Sequence, residues 1–253
     1  MRILLLGADG RMGHMVAQIA KEQGHVITAG LSLTENRNGP FPIYASFGDI
    51  SEKVDVMLDF SSPALLPAAL DYAVENGLPL VIAATGHGDR DRQLMEQAAR
   101  DIPLLVSGNM SLGIALMRQL VRKVQRALPG FDIEIVEKHH KMKKDAPSGT
   151  ALMLFRELQQ QNPALHIAPD RTTHPEQRDA TEVGIHAVRG GTVVGEHSVA
   201  FYGPDEVLEI RHAAHSRAIF AQGAVRACSF VLEAAQNKIV TVEIELKPER
   251  PAL

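Results

Sequence analysis

Cysteine is nearly missing from this chain: Cys228 stands alone among 253 residues. One thiol excludes an internal disulfide framework and any zinc site built from a cysteine cluster, and it suits a reducing compartment. Tryptophan is absent and aromatic residues make up 4% of the chain, so stacking platforms for single-stranded nucleic acid are scarce. Positive charge is not in excess, with 26 Lys and Arg against 30 Asp and Glu, which argues against a phosphate-backbone partner. No stretch approaches the roughly 18 consecutive apolar residues of a membrane helix. The opening apolar run, Ile3–Leu6, is too short for the core of a signal peptide. These shortages lead us to expect a cytoplasmic protein with neither membrane nor nucleic acid as partner.

What is present is a substantial apolar fraction, 45%, enough to bury one large or two modest cores. Residues 2–6 form a continuous apolar run ending at Gly7, the pattern of a buried parallel strand. Met12, Val16, Ile19 and Ala20 share a face, predicting a helix over 11–23 that Gly24 ends. Strands are predicted at His25–Leu31, Val54–Phe60, Pro79–Ala84 and Pro103–Ser107. Helices are predicted from the turn at Ser61-Ser62-Pro63 to about Asn76 and over Asp89–Arg100. This β-α alternation with short connections predicts an α/β fold, a Rossmann-like doubly wound parallel sheet.

After about residue 109 the pattern changes. A long helix is expected over Ile114–Leu128 and a half-exposed strand over Asp132–Glu137, where acidic and apolar residues alternate. A basic loop, a helix near 151–161 and a Pro/His/Arg-rich stretch over 163–179 follow. Three strand-like segments come next: Thr181–Arg189, Val193–Tyr202 and Glu206–His212. They predict a second α+β domain with a mixed or antiparallel sheet and helices on one face. A helix over Ile219–Ala234 and a strand over Ile239–Ile244 are expected to return to the first domain, dividing the chain into 1–108 with 219–253, and 109–218.

The loop Gly7-Ala8-Asp9-Gly10-Arg11-Met12-Gly13 lies between the first strand and the first helix. Glycines there allow a tight turn and close approach to a pyrophosphate held at the helix N-terminus, and Arg11 adds a cation. A plain βα turn that happens to hold glycines is the competing reading, weakened by the alternating region that follows. At the end of the second strand, Ser32 and Arg37 suit a ribose 2′-phosphate and Glu35 a 2′-hydroxyl, so NADH and NADPH both stay open.

Six of the seven residues Lys138–Lys144 are Lys or His. The run leads through Pro147-Ser148-Gly149-Thr150 into a helix. Unpaired N–H groups at that helix start, with the Ser148 or Thr150 hydroxyl, form an anion site to which the loop lysines add charge. His139 and Lys143 bring proton chemistry, since histidine titrates near neutrality and a neighbouring cation makes its proton easier to lose. A solvated surface run is the bland alternative, and the attached helix start speaks against it. His174, His186 and His212 form no metal pattern, so no metal is expected. Met12, Met15, Met95 and Met117 read as core fillers, Cys228 as buried, and His197 and Arg217 as structural or hinge residues.

The string Glu137–Ala151 resembles the signature of the dihydrodipicolinate (4-hydroxy-tetrahydrodipicolinate) reductase family, close to E-x-H-H-x-x-K-x-D-x-P-S-G-T-A, with every fixed position present. The loop Gly7–Gly13, Asp59-Phe60-Ser61, Asn109-Met110-Ser111-Leu112-Gly113, Val194-Gly195-Glu196-His197 and Ser216-Arg217 are similar to that family in the same order. The resemblance implies an oxidoreductase of lysine and diaminopimelate biosynthesis that uses NADPH or NADH on a small dicarboxylate. It implies a catalytic His139 and a proton-donating Lys143. His140, Lys143, Gly149 and Thr150 are implied to hold the dicarboxylate, Gly7–Met12 the cofactor phosphates, and Thr85-Gly86 and Ser107–Met110 the nicotinamide surroundings. It implies a homotetramer assembled through the sheet of a substrate-binding and oligomerisation domain, 109–218. The chain departs from the usual pattern at Ala83-Ala84-Thr85-Gly86, at Ser107-Gly108-Asn109-Met110, at Ser32-Leu33 and at Met142. On the same plan, a related dehydrogenase of an amino acid or sugar acid is the alternative.

Overall fold

The first strand, β1 (Arg2–Leu6), is buried at Ile3–Leu6, as a parallel strand covered on both faces must be. The computed structural model describes residues 1–36, 38–168 and 176–236. Within these, one compact unit comprises Met1–Ser111 and the segment that begins at Ala218, and a second comprises Leu112–Arg217.

In the first unit β1 leads through α1 (Arg11–Glu22) to β2 (Val26–Leu31) and β3 (Ile43–Tyr44), then β4 (Val56–Asp59), α2 (Leu66–Glu75), β5 (Leu80–Ile82), α3 (Asp89–Ala98) and β6 (Leu104–Val106). The six strands form one parallel sheet in the order β3-β2-β1-β4-β5-β6. The order reverses at β1, between β2 and β4, and such a switch point is where open α/β sheets receive ligands, beyond the carboxyl ends of the strands. Alternate residues feed separate cores. Leu4, Leu6, Met57 and Ile82 pack on one face of the sheet. Ile3, Leu5, Leu58 and Val81 pack on the other, with Val16, Ile19 and Ala20 of α1. Gly24 and Gly77 follow α1 and α2 with φ of 74° and 63°, the left-handed geometry of helix C-terminal caps.

The second unit opens with α4 (Leu112–Ala127) and β7 (Asp132–His139), continues through α5 (Gly149–Gln161) and β8 (His166–Ile167), and ends in β9 (Glu182–Arg189), β10 (Gly195–Gly203) and β11 (Glu206–Ala214). Its sheet runs β11-β10-β7-β9-β8. It is antiparallel from β11 to β7 and parallel from β7 to β8, hence mixed. One face packs Ile133, Ile135, Val199 and Phe201 against Ile114, Met117 and Val121 of α4 and Leu154 and Leu158 of α5. Glu157, nearly inaccessible, ties the two helices through Arg118 Nε at 2.7 Å and Arg122 at 2.9 Å.

The last described helix, α6 (Ala218–Gln236), packs in the first unit against α1, β4 and β5. Ala218–Ala235 is long and apolar enough to cross a membrane by length and composition, which the search for an unbroken apolar run overlooks. Arg226 and Glu233 interrupt it, while Ala221, Ala224, Val225, Cys228 and Val231 are buried in the core. It is a core helix. Two elements were not foreseen, β3 and β8, each two residues long and too short to show a period. The strand expected at Ile239–Ile244, with His174 and Arg37, lies outside the described residues.

Candidate active site

The carboxyl edge of the parallel sheet gathers the residues predicted to hold a cofactor. Register pairs Leu6 with Asp59, Asp59 with Ile82 and Ile82 with Val106, so the loops after β1, β4, β5 and β6 leave from one edge. Gly7 turns with φ 75°, and its N–H donates to Leu31 O at 2.8 Å. A Cβ on Gly13 would stand 2.4 Å from Gly7 O and 2.6 Å from Ala8 O, so only glycine lets α1 start this close to β1. Gly10 caps α1 without any side-chain hydrogen bond. The first-turn N–H groups at Arg11, Met12 and Gly13 are thus left for an external acceptor. Asp9 and Arg11 are exposed, Met12 half-buried and Ala8 buried.

Ser32 follows β2, half-buried, with its N–H on Tyr44 O at 2.9 Å. Leu33 is fully exposed. Ala83 and Ala84 are buried while Thr85 is exposed, and a Cβ on Gly108 would lie 3.9 Å from Thr85 Cγ2, which brings these two loops side by side. The Ser107 hydroxyl accepts from Asn109 N–H at 3.2 Å and donates to Asn109 O at 2.9 Å, and Asn109 Oδ1 accepts from Ser111 N–H at 2.9 Å. Met110 packs into the core. A glycine cradle at a helix start on the switch point fits a dinucleotide pyrophosphate.

The second cluster sits at the end of β7. The strand runs two residues past its expected limit, so His139 ends a strand rather than lying in a loop. Inward positions along β7 are Ile133, Ile135, Glu137 and His139. Glu137 therefore places a carboxylate, with no accessible surface, where an apolar side chain would ordinarily go. Its Oε2 accepts from His139 Nδ1 at 2.6 Å and from Arg189 Nη1 at 2.7 Å. Its Oε1 accepts from Arg189 Nη2 at 2.6 Å and from Ser148 N–H at 3.0 Å. Burial pushes this carboxyl up, but the hydrogen bonds and charges of His139 and Arg189 outweigh burial and hold it at about 2. The charge in contact with the His139 ring is thus an anion, which opposes the proton release that a neighbouring cation was expected to favour. Lys143 instead pairs with Asp145 Oδ2 at 2.8 Å.

Ser148 caps α5, its hydroxyl accepting from Ala151 N–H at 3.2 Å. That hydroxyl also lies 2.9 Å from His197 Nε2. Burial, with the nearby charge of His139, lowers His197 to about 3, so the ring meets the Ser148 hydroxyl as a neutral imidazole. Ser148 is buried, and its hydroxyl is engaged on both sides. Gly149 is exposed, and His140, Lys143 and Thr150 are half-buried around the same helix start. The rings of His139 and His197 meet edge to face at 5.1 Å.

Three residues of this cluster were missed or underrated. Glu137 had a sequence signal, an acid in phase with Ile133 and Ile135. His197 lay in the family-like string Val194–His197 and was read as structural, while Arg189 had no signal by itself. Strand register brings them in, pairing Glu137 with His197 and His139 with Arg189. Among the described residues no group of His, Cys, Asp and Glu is arranged to hold a metal.

A doubly wound parallel sheet with a glycine cradle, joined in one chain to a unit bearing a buried, charge-ordered histidine, defines a nicotinamide-dependent oxidoreductase. Residues 1–110 match the family described as dihydrodipicolinate reductase, N-terminus, and residues 113–245 its C-terminus. The 4-hydroxy-tetrahydrodipicolinate reductase of Caldanaerobacter subterraneus subsp. tengcongensis is 44% identical over 235 residues, covering 91% of this chain and 92% of that protein. The chain belongs to the dihydrodipicolinate reductase family. Its activity is that of a 4-hydroxy-tetrahydrodipicolinate reductase, an oxidoreductase of lysine and diaminopimelate biosynthesis. The fold is shared with the dipicolinate-bound dihydrodipicolinate reductase from Paenisporosarcina sp. TG-14 (TM-score 0.75, 24% identity, 96% of each chain). It is also shared with GenD2 from gentamicin A biosynthesis in complex with NAD (TM-score 0.62, 12% identity, 94% of this chain and 87% of that one).

Proposed function

We propose that the first unit holds NADPH or NADH by Gly7–Met12, with Ser32, Arg37, Ala83–Thr85 and Ser107–Met110 around it, and that the second unit grips the ring dicarboxylate. When bound, the dihydronicotinamide supplies hydride from its C4, received at ring C4 of the substrate. One substrate carboxylate rests on the first-turn N–H groups of Gly149 and Thr150, where the α5 dipole favours an anion. The other lies near His140. Lys143 adds a positive charge to the same segment. The pair His139 and Lys143 supplies the proton, and the 4-hydroxyl leaves as water, so that one hydride and one proton are consumed per turnover. Ser148 takes part by setting the helix start, since its hydroxyl is already bonded. The Paenisporosarcina relative binds dipicolinate, a flat ring diacid of the class this helix start would hold.

The observation that carries this reading is His139, fixed by Glu137 beside the start of α5. Replacing His139 and Lys143 together by Ala is expected to lower turnover by about 10²–10⁴-fold while leaving cofactor affinity, read by nicotinamide fluorescence, within about twofold. Wild-type turnover in that variant would refute the proton assignment. The reading also includes a cytoplasmic setting, consistent with one buried thiol. It includes a homotetramer built on the open face of the second unit's sheet, where Tyr202, Val207 and Val188 are exposed.

A further inference from the structure

The carboxylate of Glu137 makes four hydrogen bonds and each restricts something different. Two go to the guanidinium of Arg189, at 2.7 and 2.6 Å. One goes to the imidazole of His139 and one to the backbone that opens α5. Arg189 also donates to Asp145 O at 2.7 Å and to Val188 O at 2.9 Å, so it ties the loop between β7 and α5 to the end of β9.

We infer that Glu137 and Arg189 are the positioning pair of the reaction: the carboxylate fixes the proton of His139 on Nδ1, leaves Nε2 as the only nitrogen that exchanges protons with substrate, and through Ser148 sets the anion-holding helix start from the same group. This inference rests on the assignment of His139 made above. An ionised carboxylate only accepts hydrogen bonds, so the 2.6 Å contact makes Nδ1 the donor. The second proton of the imidazolium is then on Nε2. When it leaves, the N–H bond breaks, its electron pair stays on Nε2, and Nδ1–H remains on Glu137. Room for that nitrogen comes from Gly195, where a Cβ would stand 3.0 Å from His139 Nε2. Register supplies the rest, because the β7–β9 pairing sets Arg189 beside His139. A carboxylate behind a catalytic imidazole holding its tautomer is a known route to large rate effects. Here the same group also fixes the binding end of the site.

The test uses the full-length protein labelled with 15N in its histidines. The His139 ring signals are assigned by their loss in His139→Gln, and ring 15N shifts are read beside kcat and KM. Wild type should show a His139 proton held on Nδ1. In Glu137→Gln the amide oxygen stays with Arg189 and turns its NH2 toward Nδ1, so the proton should move to Nε2. The expected kinetic change is a kcat lower by about 10²–10⁴-fold with cofactor KM within about twofold. Should that variant misfold, Glu137→Leu/Arg189→Met removes both buried charges together, which folded proteins tolerate far better than an orphaned one; with no acceptor left at Nδ1, the proton should no longer be held there and the same fall in kcat is expected. Wild-type kcat with an Nδ1 proton in whichever variant folds overturns the inference, even if His139→Gln is inactive. Wild-type turnover in His139→Gln overturns the assignment of His139 itself, and this inference with it.

Discussion

His197 shows how one buried side chain makes the second unit sensitive to acid. Its ring is nearly inaccessible and lies within hydrogen-bond distance of the Ser148 hydroxyl. Burial and the nearby charge of His139 lower its pKa from 6.5 to about 3. An unfolded chain binds that proton near pH 6.5, whereas the folded chain resists it. The stability contributed by keeping His197 neutral is therefore complete above pH 6.5 and is lost progressively as pH falls toward 3, by up to about 1.4 kcal/mol per pH unit. Glu137, lowered from 4.5 to about 2, adds a loss of the same sign below pH 4.5. Denaturant unfolding at pH 7.5 and 5.5 should show wild type losing more stability than His197→Gln. Equal losses would mean that His197 is not held neutral. At this scale the sequence marks His139 and Lys143 as candidates by residue type and by their place in the string Glu137–Ala151. It was opaque where a residue matters through its partner: Arg189 has no distinguishing neighbours along the chain, and only its place opposite His139 gives it a role.

Among the elements, the start of α1 offers the sharpest test, because its geometry depends on a missing side chain. A methyl group on Gly13 would meet two backbone oxygens at 2.4 and 2.6 Å, and neither can yield without moving the loop. Gly13→Ala is expected to weaken nicotinamide binding by on the order of tenfold or more, about 1.4 kcal/mol per decade, measured by fluorescence titration. Binding of a ring diacid to the second unit, read by calorimetry, should be unchanged. Unaltered cofactor affinity would remove the pyrophosphate role from this loop. Most elements were readable in advance because continuous apolar runs such as Ile3–Leu6 and helical periodicity such as Val16–Ile19–Ala20 are strong signals. β3 and β8 were not, since two residues joined to an existing sheet leave no pattern. The end of β7 was misplaced because Lys138 and His139 look like loop residues by composition, while backbone pairing to β9 and β10 carries the strand on to His139.

Across the whole molecule, the chain completes six parallel strands, departs at Leu112 for a mixed sheet, and comes back at Ala218 with a helix that finishes the first core. The change from β-α alternation to clustered strands made that excursion visible in the sequence. What sequence pattern alone did not convey is which sheet face stays open; in the structure Val136, Lys138, Ser198, Tyr202 and Val207 share it. If that face joins four copies, light scattering on the purified protein should return four times 27.5 kDa, and Tyr202→Glu/Val207→Glu should reduce it. A monomeric mass for wild type would remove the tetramer from the account. The central claim is that reducing equivalents held at Gly7–Met12 reach a diacid held at His140–Thr150. Its most direct measurement is isotope transfer. The protein is given 4-hydroxy-tetrahydrodipicolinate with NADPH or NADH deuterated at the transferring position of nicotinamide C4, and the product diacid is weighed by mass spectrometry. The account predicts one deuterium per product molecule at the ring carbon that loses its hydroxyl; cofactor oxidation that leaves the diacid unlabelled, or no oxidation of either cofactor by folded protein, would contradict it.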